Sequence, residues 1–266
     1  MHYQVYPCTN RAPADYIVLS SGLGGHAAFW QPQISSLQQH FHVVVYDQEG
    51  CHQHSPLLNA EYSMTDMAMQ LLNILKQQQI QRFHLVGHAL GALIGFELAR
   101  LLAPLGIQLL SLTAVNAWDR VDPHSLKCFQ ARIQLLKYAG APAYVQAQAL
   151  FLYPPAWISE HHQQLEQQEQ QQLQNFPPTE NVLARIAALQ AFELQQTHVR
   201  ALAQSRIYLI ATRDDFLVPV QKSYDLQKRL PQADLIVLPI GAHACTVTQA
   251  PEFNQLMLSL LLPAMA

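Results

Sequence analysis

The chain has 266 residues, of which 50% are hydrophobic and 12% are charged, and its formal net charge at pH 7 is -3. This length and composition predict a compact soluble protein built as one α/β domain with an insertion. Lys and Arg form no cluster in any segment, which excludes nucleic acid and anionic membranes as electrostatic partners and favours a small-molecule partner.

Short apolar runs rich in β-branched residues recur along the chain and predict strands. They lie at 16–20, 42–47, 83–87, 109–116, 206–211 and 234–239. Such near-continuous apolar runs are typical of parallel strands covered on both faces. Helical patterns lie at 63–78, 90–102, 220–229 and 251–262. Alternating strands and helices predict an α/β fold with a mostly parallel central sheet and helices on both faces.

The alternation stops between Trp118 and His198, where the sequence becomes helical and rich in Gln and Ala. We therefore predict a core domain formed by residues 1–118 and 199–266, and a helical lid formed by residues 119–198. Such a lid lies over the carboxyl ends of the strands, where open α/β sheets bind ligands. For the Gln-rich stretch 160–175, a solvated polar helix or flexible loop and a helix lying over the rest both remain open.

The cysteines and the start of the chain predict the compartment. None of the four cysteines falls in a C-x-x-C pair, so neither a disulfide framework nor a zinc knuckle is indicated. The first residues, MHYQVYPCTN, lack the pattern of a secretory signal, and every long apolar run is interrupted before it spans a bilayer. We expect a cytoplasmic protein, either a monomer or a homodimer.

The stretch "VGHALGAL" carries the most specific motif. Gly87-His88-Ala89-Leu90-Gly91 has the G-x-S-x-G frame of the nucleophile elbow of α/β hydrolases, with Ala89 in place of the serine. An ordinary glycine-rich turn between a strand and a helix is the alternative. The residues that follow the later strands weaken that alternative.

Two of these later residues resemble the remaining catalytic positions of α/β hydrolases. Asp215 follows a predicted strand and stands four residues before Pro219, like the late-strand carboxylate of that family. His243 follows the next predicted strand, in the place of the family's catalytic histidine. The order along the chain is elbow, acid, histidine. By the same logic, the backbone amides of Leu23 and Leu90 are the candidate oxyanion hole.

The stretches "SGLGG", "VVVYDQ", "VGHALGAL", "FLYP", "DDFLVP" and "GAHACTVT" resemble the RutD (pyrimidine utilization protein D) family of α/β hydrolases. The resemblance implies an α/β-hydrolase fold with an inserted lid. It also implies a role in uracil catabolism: hydrolysis of carbamate to carbon dioxide and ammonia, or of 3-aminoacrylate to malonate semialdehyde and ammonia. The loop "YDQEGCHQHS" departs from the commoner D-x-R-G-x-G-x-S pattern, with Glu49 for Arg and His52 for Gly.

Ala89 excludes an acyl-enzyme, because an alanine side chain has no atom that can attack a carbonyl. Our hypothesis is that His243, oriented by Asp215, acts as general base on a water beside the methyl group of Ala89. We expect neither a cofactor nor a metal ion. Pairs such as His52 with His54, or His161 with His162, lack a metal-binding carboxylate pattern, and a substitute nucleophile at Cys245, Ser20 or Ser21 is a minor alternative.

Two further functions remain open at this point. The first is a catalytically silent pseudo-hydrolase that binds a metabolite, which the alanine at the elbow favours. The second is cofactor-free lyase or oxygenase chemistry with a histidine base. Retention of both Asp215 and His243 favours a hydrolase over a silent binder, and the RutD resemblance implies that this hydrolase acts on carbon-nitrogen bonds.

Overall fold

The predicted strand runs all form β-strands in a computed structural model that describes residues 2–10, 14–102 and 104–262. Within these residues, seven strands make one sheet in the order β1-β3-β2-β4-β5-β6-β7. The strands are β1 (Tyr3–Tyr6), β2 (Tyr16–Ser20), β3 (His42–Tyr46), β4 (Arg82–His88), β5 (Gln108–Val115), β6 (Arg206–Thr212) and β7 (Asp234–Leu238). All neighbouring pairs are parallel except β1 with β3. The α/β prediction with a mostly parallel sheet is confirmed.

Helices cover the sheet and connect its strands. They are α1 (Gln31–Leu37), α2 (Met64–Gln77), α3 (Leu90–Leu102), α4 (Pro123–Gln134), α5 (Gly140–Leu152), α6 (Pro155–Glu160), α7 (His162–Gln174), α8 (Thr179–Ala191), α9 (Gln196–Ala201), α10 (Gln221–Arg229), α11 (Cys245–Thr248) and α12 (Ala250–Leu261). The four helices predicted from periodicity correspond to α2, α3, α10 and α12. The sequence patterns missed β1 and α1, which are only four and seven residues long.

Alternation along the strands divides the core between the two faces of the sheet. Val18 and Val44 pack with α2 and α3 on one face, whereas Ile17 and Val43 pack with α1 and α12 on the other. Because both faces are buried, the central positions 17–19 and 43–45 of these strands are all apolar, as the sequence runs showed. In the described part of the chain, no helix is both long and apolar enough to cross a membrane.

Helices α4 to α9 lie between β5 and β6, where the sequence predicted an insertion. We propose that residues 119–198 act as the lid. Two hydrogen bonds to loops at the carboxyl ends of the strands support this: Ser125 Oγ donates to the Leu217 carbonyl oxygen at 2.9 Å, and Ala244 N–H donates to that of Leu152 at 2.9 Å. The Gln-rich stretch forms helix α7, anchored by the buried side chain of Leu165.

A buried polar group joins the last helix before β6 to the core. Glu97 in α3 accepts hydrogen bonds from His198 Nε2 at 2.8 Å and from Thr65 Oγ1 at 2.7 Å, and it also pairs with Arg100. The side chains of Glu97 and His198 are only 7% and 6% exposed. The hydrogen bond from His198, followed in importance by that from Arg100, lowers the pKa of Glu97 to about 2 although burial opposes this. The carboxylate therefore fastens α9 to α3.

We expect Glu97→Gln to lower the free energy of unfolding at pH 7 by about 1.5–3 kcal/mol, because hydrogen bonds to a charged group are lost. The pKa of Glu97 is lower in the folded state than in the unfolded state. Its ionisation therefore stabilises the fold fully above about pH 4.5, and this contribution is lost as the pH falls toward about 2. Urea denaturation at both pH values should show that the free energies of unfolding of wild type and variant differ less at pH 3 than at pH 7. Glu166→Gln, on the exposed face of α7, is the matched control, and an equal loss at both pH values would contradict this account.

Candidate active site

The turn between β4 and α3 is tight because two glycines lie where a side chain would collide with backbone. A Cβ on Gly91 would lie 2.0 Å from the carbonyl oxygen of Ser20, at the end of β2. A Cβ on Gly87 would lie 2.4 Å from the nitrogen of Ala92. The absence of both side chains lets the first turn of α3 press directly against β2 and the loop after it.

Ala89 occupies the apex of this turn in a left-handed backbone conformation, with φ of +47°. Residues other than glycine adopt such a conformation at a cost of about 1–3 kcal/mol. The Ala89 N–H donates to the carbonyl oxygen of Val115 at 2.8 Å, which fixes the apex to the end of β5. The backbone geometry of a nucleophile elbow is thus present, with a methyl group at its tip.

His243 and Asp215 come together although they follow different strands. His243 Nδ1 lies 2.7 Å from Asp215 Oδ2, and the two side chains are 3% and 0% exposed. Asp215 Oδ1 accepts the N–H groups of Leu217 and Val218, each at 2.8 Å. The carboxylate is therefore fixed and in turn fixes the imidazole ring. His243 Nε2 makes no hydrogen bond within the described residues, which leaves it to exchange a proton with a ligand or water.

The neighbouring Asp214 holds the loop of His243 rather than its ring. Its carboxylate accepts the N–H groups of Gly241 and Ala242 at 3.1 and 2.9 Å. Asn116, at the end of β5, donates through Nδ2 to the carbonyl oxygen of His243 at 2.8 Å. Asp214 thus binds the backbone of the His243 loop, whereas Asp215 binds the His243 ring. The sequence positions of the two aspartates did not predict this difference.

His88, next to the apex, links the elbow to the His243 loop. Its Nε2 donates to the carbonyl oxygen of His243 at 2.8 Å, and the two imidazole rings lie 4.7 Å apart. Burial, and secondarily the nearby His243, lower the pKa of His88 to about 3. His88 is therefore neutral at physiological pH and adds no positive charge beside the candidate base. Its Nδ1 faces the oxyanion loop, because a Cβ on Gly22 would lie 2.9 Å from this atom.

The predicted oxyanion donors lie on the two segments that meet at the elbow. Leu90 is the first residue of α3, and Leu23 lies in the loop after β2. Within the described residues, neither backbone N–H has a hydrogen-bond acceptor. Free amides at a helix N-terminus and in a glycine-rich loop carry partial positive charge and suit a developing oxyanion.

Arg185 in α8 is a candidate site residue that sequence patterns missed. Its Nη1 donates to the carbonyl oxygen of Glu49 at 2.8 Å, and its Nη2 donates to the Leu23 carbonyl oxygen at 2.9 Å and to Gln48 Oε1 at 2.5 Å. The side chain is 2% exposed, and burial lowers its pKa. No carboxylate of the described residues pairs with it. A lone Arg in the apolar stretch "VLARIAAL" was the one signal in the sequence.

Arg185 also holds in place the loop at residues 46–55, whose sequence departs from the common D-x-R-G-x-G-x-S pattern of hydrolases. This loop carries Glu49 and His52, and it is fastened to the oxyanion loop through the Arg185 guanidinium and through the N–H of Gln48, which donates to the Gly25 carbonyl oxygen at 2.9 Å. The unusual side chains therefore leave the two loops joined.

The residues considered as substitute nucleophiles are poorly placed for attack. The Cys245 side chain is fully buried, and burial raises the pKa of its thiol to about 12, so it is not a thiolate. Ser20 Oγ hydrogen-bonds with the Tyr46 hydroxyl at 2.8 Å, and Ser21 Oγ is buried without a partner in the described chain. None of these groups contacts an activating base.

A small cavity adjoins the oxyanion loop. It has a volume of about 30 Å³ and is lined by Leu23 and Gly24 from that loop, by Arg185, and by lid residues such as Tyr144 and Phe176. This space suits a ligand of a few heavy atoms. A larger cleft of about 640 Å³ lies between α2, α3, α8 and α9. Neither the cleft nor the small cavity is lined by Ala89 or His243, but the small cavity is lined by Leu23 of the oxyanion loop. We place the site at the elbow, because the candidate catalytic groups converge there.

Comparison with known proteins agrees with this geometry. Residues 15–245 match the alpha/beta hydrolase fold family. A protein of Acinetobacter baylyi is 52% identical over 98% of this chain and 98% of its own length. One from Stutzerimonas stutzeri is 45% identical over 97% and 95%, and one from Agrobacterium fabrum is 43% identical over 99% of both chains. All three carry the name "Putative carbamate hydrolase RutD".

Solved structures share the fold at much lower sequence identity. The enol-lactonase of Burkholderia xenovorans superposes with a TM-score of 0.83 at 20% identity, covering 98% of this chain and 95% of its own. MGS-M2, an alpha/beta hydrolase from a deep-sea metagenome, has a TM-score of 0.85 at 18% identity, covering 100% and 95%. At such identities the likeness concerns the fold alone.

The close approach at the elbow predicts a large difference between two glycine substitutions. Gly91→Ala should lower the free energy of unfolding by about 3 kcal/mol or more, because the new methyl group collides with the backbone of β2. Gly24→Ala, where a Cβ meets nothing within 4 Å, should change it by less than about 0.5 kcal/mol. Urea denaturation compares the two variants, and equal losses would contradict the assigned contact.

Proposed function

The chain belongs to the RutD family of α/β hydrolases, and we propose that it releases ammonia from carbamate or 3-aminoacrylate in pyrimidine catabolism without a covalent intermediate. It would thus be a hydrolase of carbon-nitrogen bonds other than peptide bonds. The observation that carries the proposal is the buried pair of His243 and Asp215, 2.7 Å apart, at an elbow whose apex is Ala89. A base is in place, and the enzyme itself offers no nucleophile at the apex. Water is the reactant such a base activates.

For carbamate, His243 Nε2 takes a proton from water as the water oxygen attacks the carbamate carbon. The Leu23 and Leu90 amides stabilise the charge that grows on the carbamate oxygen. The histidine then passes the proton to nitrogen, and the carbon-nitrogen bond breaks. Ammonia leaves together with bicarbonate, the hydrated form of carbon dioxide, so water and carbamate account for all atoms of the products.

For 3-aminoacrylate, the first step is a proton shift. His243 moves a proton from the amino group to C2, the carbon next to the carboxylate, which converts the enamine into an imine at C3. Water activated by the same ring adds to the imine carbon, and the resulting carbinolamine loses ammonia to give malonate semialdehyde. Both routes need one mobile proton at Nε2 and a carboxylate that holds the ring in place.

The charge around the site supports a small anionic substrate. Carbamate and 3-aminoacrylate each carry one carboxylate, and Arg185 places a buried guanidinium beside the oxyanion loop with neutral acceptors only. A buried cation without a carboxylate partner attracts an anion strongly, since little water screens it. The cavity of about 30 Å³ that Arg185 lines favours a molecule of this size.

A silent metabolite-binding protein is the second candidate, and Ala89 is the observation that favours it. Such a protein would need the cavity and Arg185 but not an oriented imidazole. The two backbone hydrogen bonds that fix Asp215 are therefore better explained by catalysis.

We also propose a cytoplasmic location, as the sequence predicts. All four cysteines are free in the structure, which agrees with a reducing compartment.

We expect His243→Ala to lower kcat/KM on freshly generated carbamate or 3-aminoacrylate by about 10²–10⁴-fold, because the general base is lost. His84→Asn is the matched control, since it removes an imidazole from the opposite end of β4 and should keep the wild-type rate. Ammonia release is measured against the spontaneous rate in the same buffer. Wild-type protein that does not exceed this rate would favour the silent binder, and an unimpaired His243→Ala variant would remove the histidine from the mechanism.

We expect Ala89→Ser to restore a covalent route, because the new hydroxyl stands at an elbow that already has its base and acid. With p-nitrophenyl acetate, the variant should show a burst of product and a mass increase of one acetyl group in the intact protein. The wild type should show neither. The double variant Ala89→Ser/His243→Ala should lose the burst, and a burst of unchanged size would mean that His243 does not serve the apex.

A further inference from the structure

Four side chains with metal-binding atoms converge next to the oxyanion loop. They are His26 from the loop after β2, and Asp47, Cys51 and His52 from the loop after β3. One nitrogen, oxygen or sulfur atom from each lies within 4.8 Å of those from the other three. His26 and Cys51 also line the small cavity described above, but no atom of the cluster takes part in the proton transfers proposed for His243.

The closest pairs lie within a few tenths of an ångström of the spacing of ligands around one ion. His52 Nε2 is 3.0 Å from Asp47 Oδ2, and Cys51 Sγ is 3.8 Å from His26 Nδ1. Zinc binds nitrogen and oxygen at about 2.0–2.2 Å and sulfur at about 2.3 Å in a tetrahedron, which sets neighbouring ligand atoms about 3.3–3.6 Å apart. The remaining pairs lie within 4.8 Å of one another, and metal binding would have to shorten them.

The two loops are held together independently of any ion. The Gln48 N–H donates to the Gly25 carbonyl oxygen at 2.9 Å, and Asp47 Oδ1 accepts the N–H of Ala27 at 2.8 Å. Gly25, with φ of +81°, allows Cys51 to approach, because a Cβ there would lie 2.8 Å from the Cβ of Cys51. The ligands therefore belong to a preformed backbone frame, which lowers the entropic cost of binding.

The ring of His52 is also oriented by a contact at its second nitrogen, Nδ1. Its Nδ1 lies 2.8 Å from the side-chain amide of Asn175 at the end of α7, and this contact points Nε2 at Asp47. Partners of this kind on the second ring nitrogen are typical of metal-binding histidines. The Asn175 atom that faces Nδ1 is Nδ2, which donates a hydrogen bond. When Nε2 binds a metal, the proton resides on Nδ1, and a half-turn of the Asn175 amide brings its Oδ1 to accept that proton.

Arg185 lies close to the cluster, because a Cβ on Gly25 would be 2.8 Å from its Nη2. The charges of the four ligands nevertheless favour a divalent ion. On binding, the Cys51 thiol releases its proton to solvent. The resulting thiolate and the Asp47 carboxylate cancel the two charges of the ion. The guanidinium then faces a neutral complex, so it does not repel the site as a whole.

We propose that His26, Asp47, Cys51 and His52 form a structural zinc site that joins the oxyanion loop to the loop after β3. Two imidazoles, one thiolate and one carboxylate are a ligand set that zinc prefers over magnesium or calcium. Four protein ligands close the coordination sphere, which is the arrangement of structural rather than catalytic zinc. The proposal replaces the sequence-based expectation of no metal and does not depend on the proposed function.

The test uses full-length protein without a polyhistidine tag, stripped with a chelator and dialysed. Calorimetric titration with Zn²⁺ should show one equivalent bound, and Zn²⁺ should raise the Tm. Titration with Co²⁺ should produce visible absorption of a tetrahedral site with a thiolate-to-metal charge-transfer band. Cys51→Ser should abolish that band, and His52→Ala should weaken Zn²⁺ binding by more than about 100-fold, since even second-sphere partners contribute about 10–100-fold.

Matched controls are Cys8→Ser and His54→Ala, which remove the same groups outside the cluster and should leave binding unchanged. The Tm of each variant is first measured without metal, so that a variant that fails to fold is distinguished from one that folds but lacks a zinc ligand. The absence of stoichiometric binding at micromolar Zn²⁺ would overturn the proposal. Equal binding by Cys51→Ser, His52→Ala and wild type would overturn it as well.

Discussion

The site depends on one close approach, that of the first turn of α3 to the end of β2. Gly91 has no side chain, so the backbone of the helix start lies against the carbonyl group of Ser20, where a Cβ would come within 2.0 Å. This contact places the free amide of Leu90 beside the loop that carries Leu23, and it forces Ala89 into its left-handed conformation. The elbow is therefore a property of backbone packing. It persists with an alanine at the apex because the glycines, rather than a serine, determine its shape.

Around this turn, two buried imidazoles have different partners: that of His243, the proposed base, is held by a carboxylate, and that of His88 is not. His243 is paired with a carboxylate that is itself fixed by two backbone amides. His88 has only a carbonyl partner and is neutral, with its pKa lowered to about 3 by burial. Its Nε2 proton is committed to the backbone of the His243 loop. The neutral ring therefore braces the loop without competing for the substrate proton.

The helical insertion contributes a buried positive charge next to the oxyanion loop. Arg185 from α8 reaches the carbonyl groups of both loops that border the small cavity, one of which follows β2 and the other β3. One side chain thereby closes the site, joins the insertion to the core and introduces a positive charge beside the oxyanion amides. The cluster of His26, Asp47, Cys51 and His52 spans the same two loops and lies next to Arg185, because a Cβ on Gly25 would contact both Arg185 and Cys51.

The sequence by itself determined the elements of the parallel sheet and the order of elbow, acid and histidine. Apolar periodicity reports burial directly, and each of these motifs is local to the end of one strand. It did not reveal β1, whose four residues are stabilised as a strand by antiparallel pairing with β3. Only the tertiary structure decided that Asp214 holds the loop while Asp215 holds the ring, that Arg185 reaches Leu23 from 162 residues away, and that His26 meets Cys51. The physical reason is that periodicity encodes which face of an element is buried, whereas contacts between distant loops arise from the crossovers that bring the strand ends together.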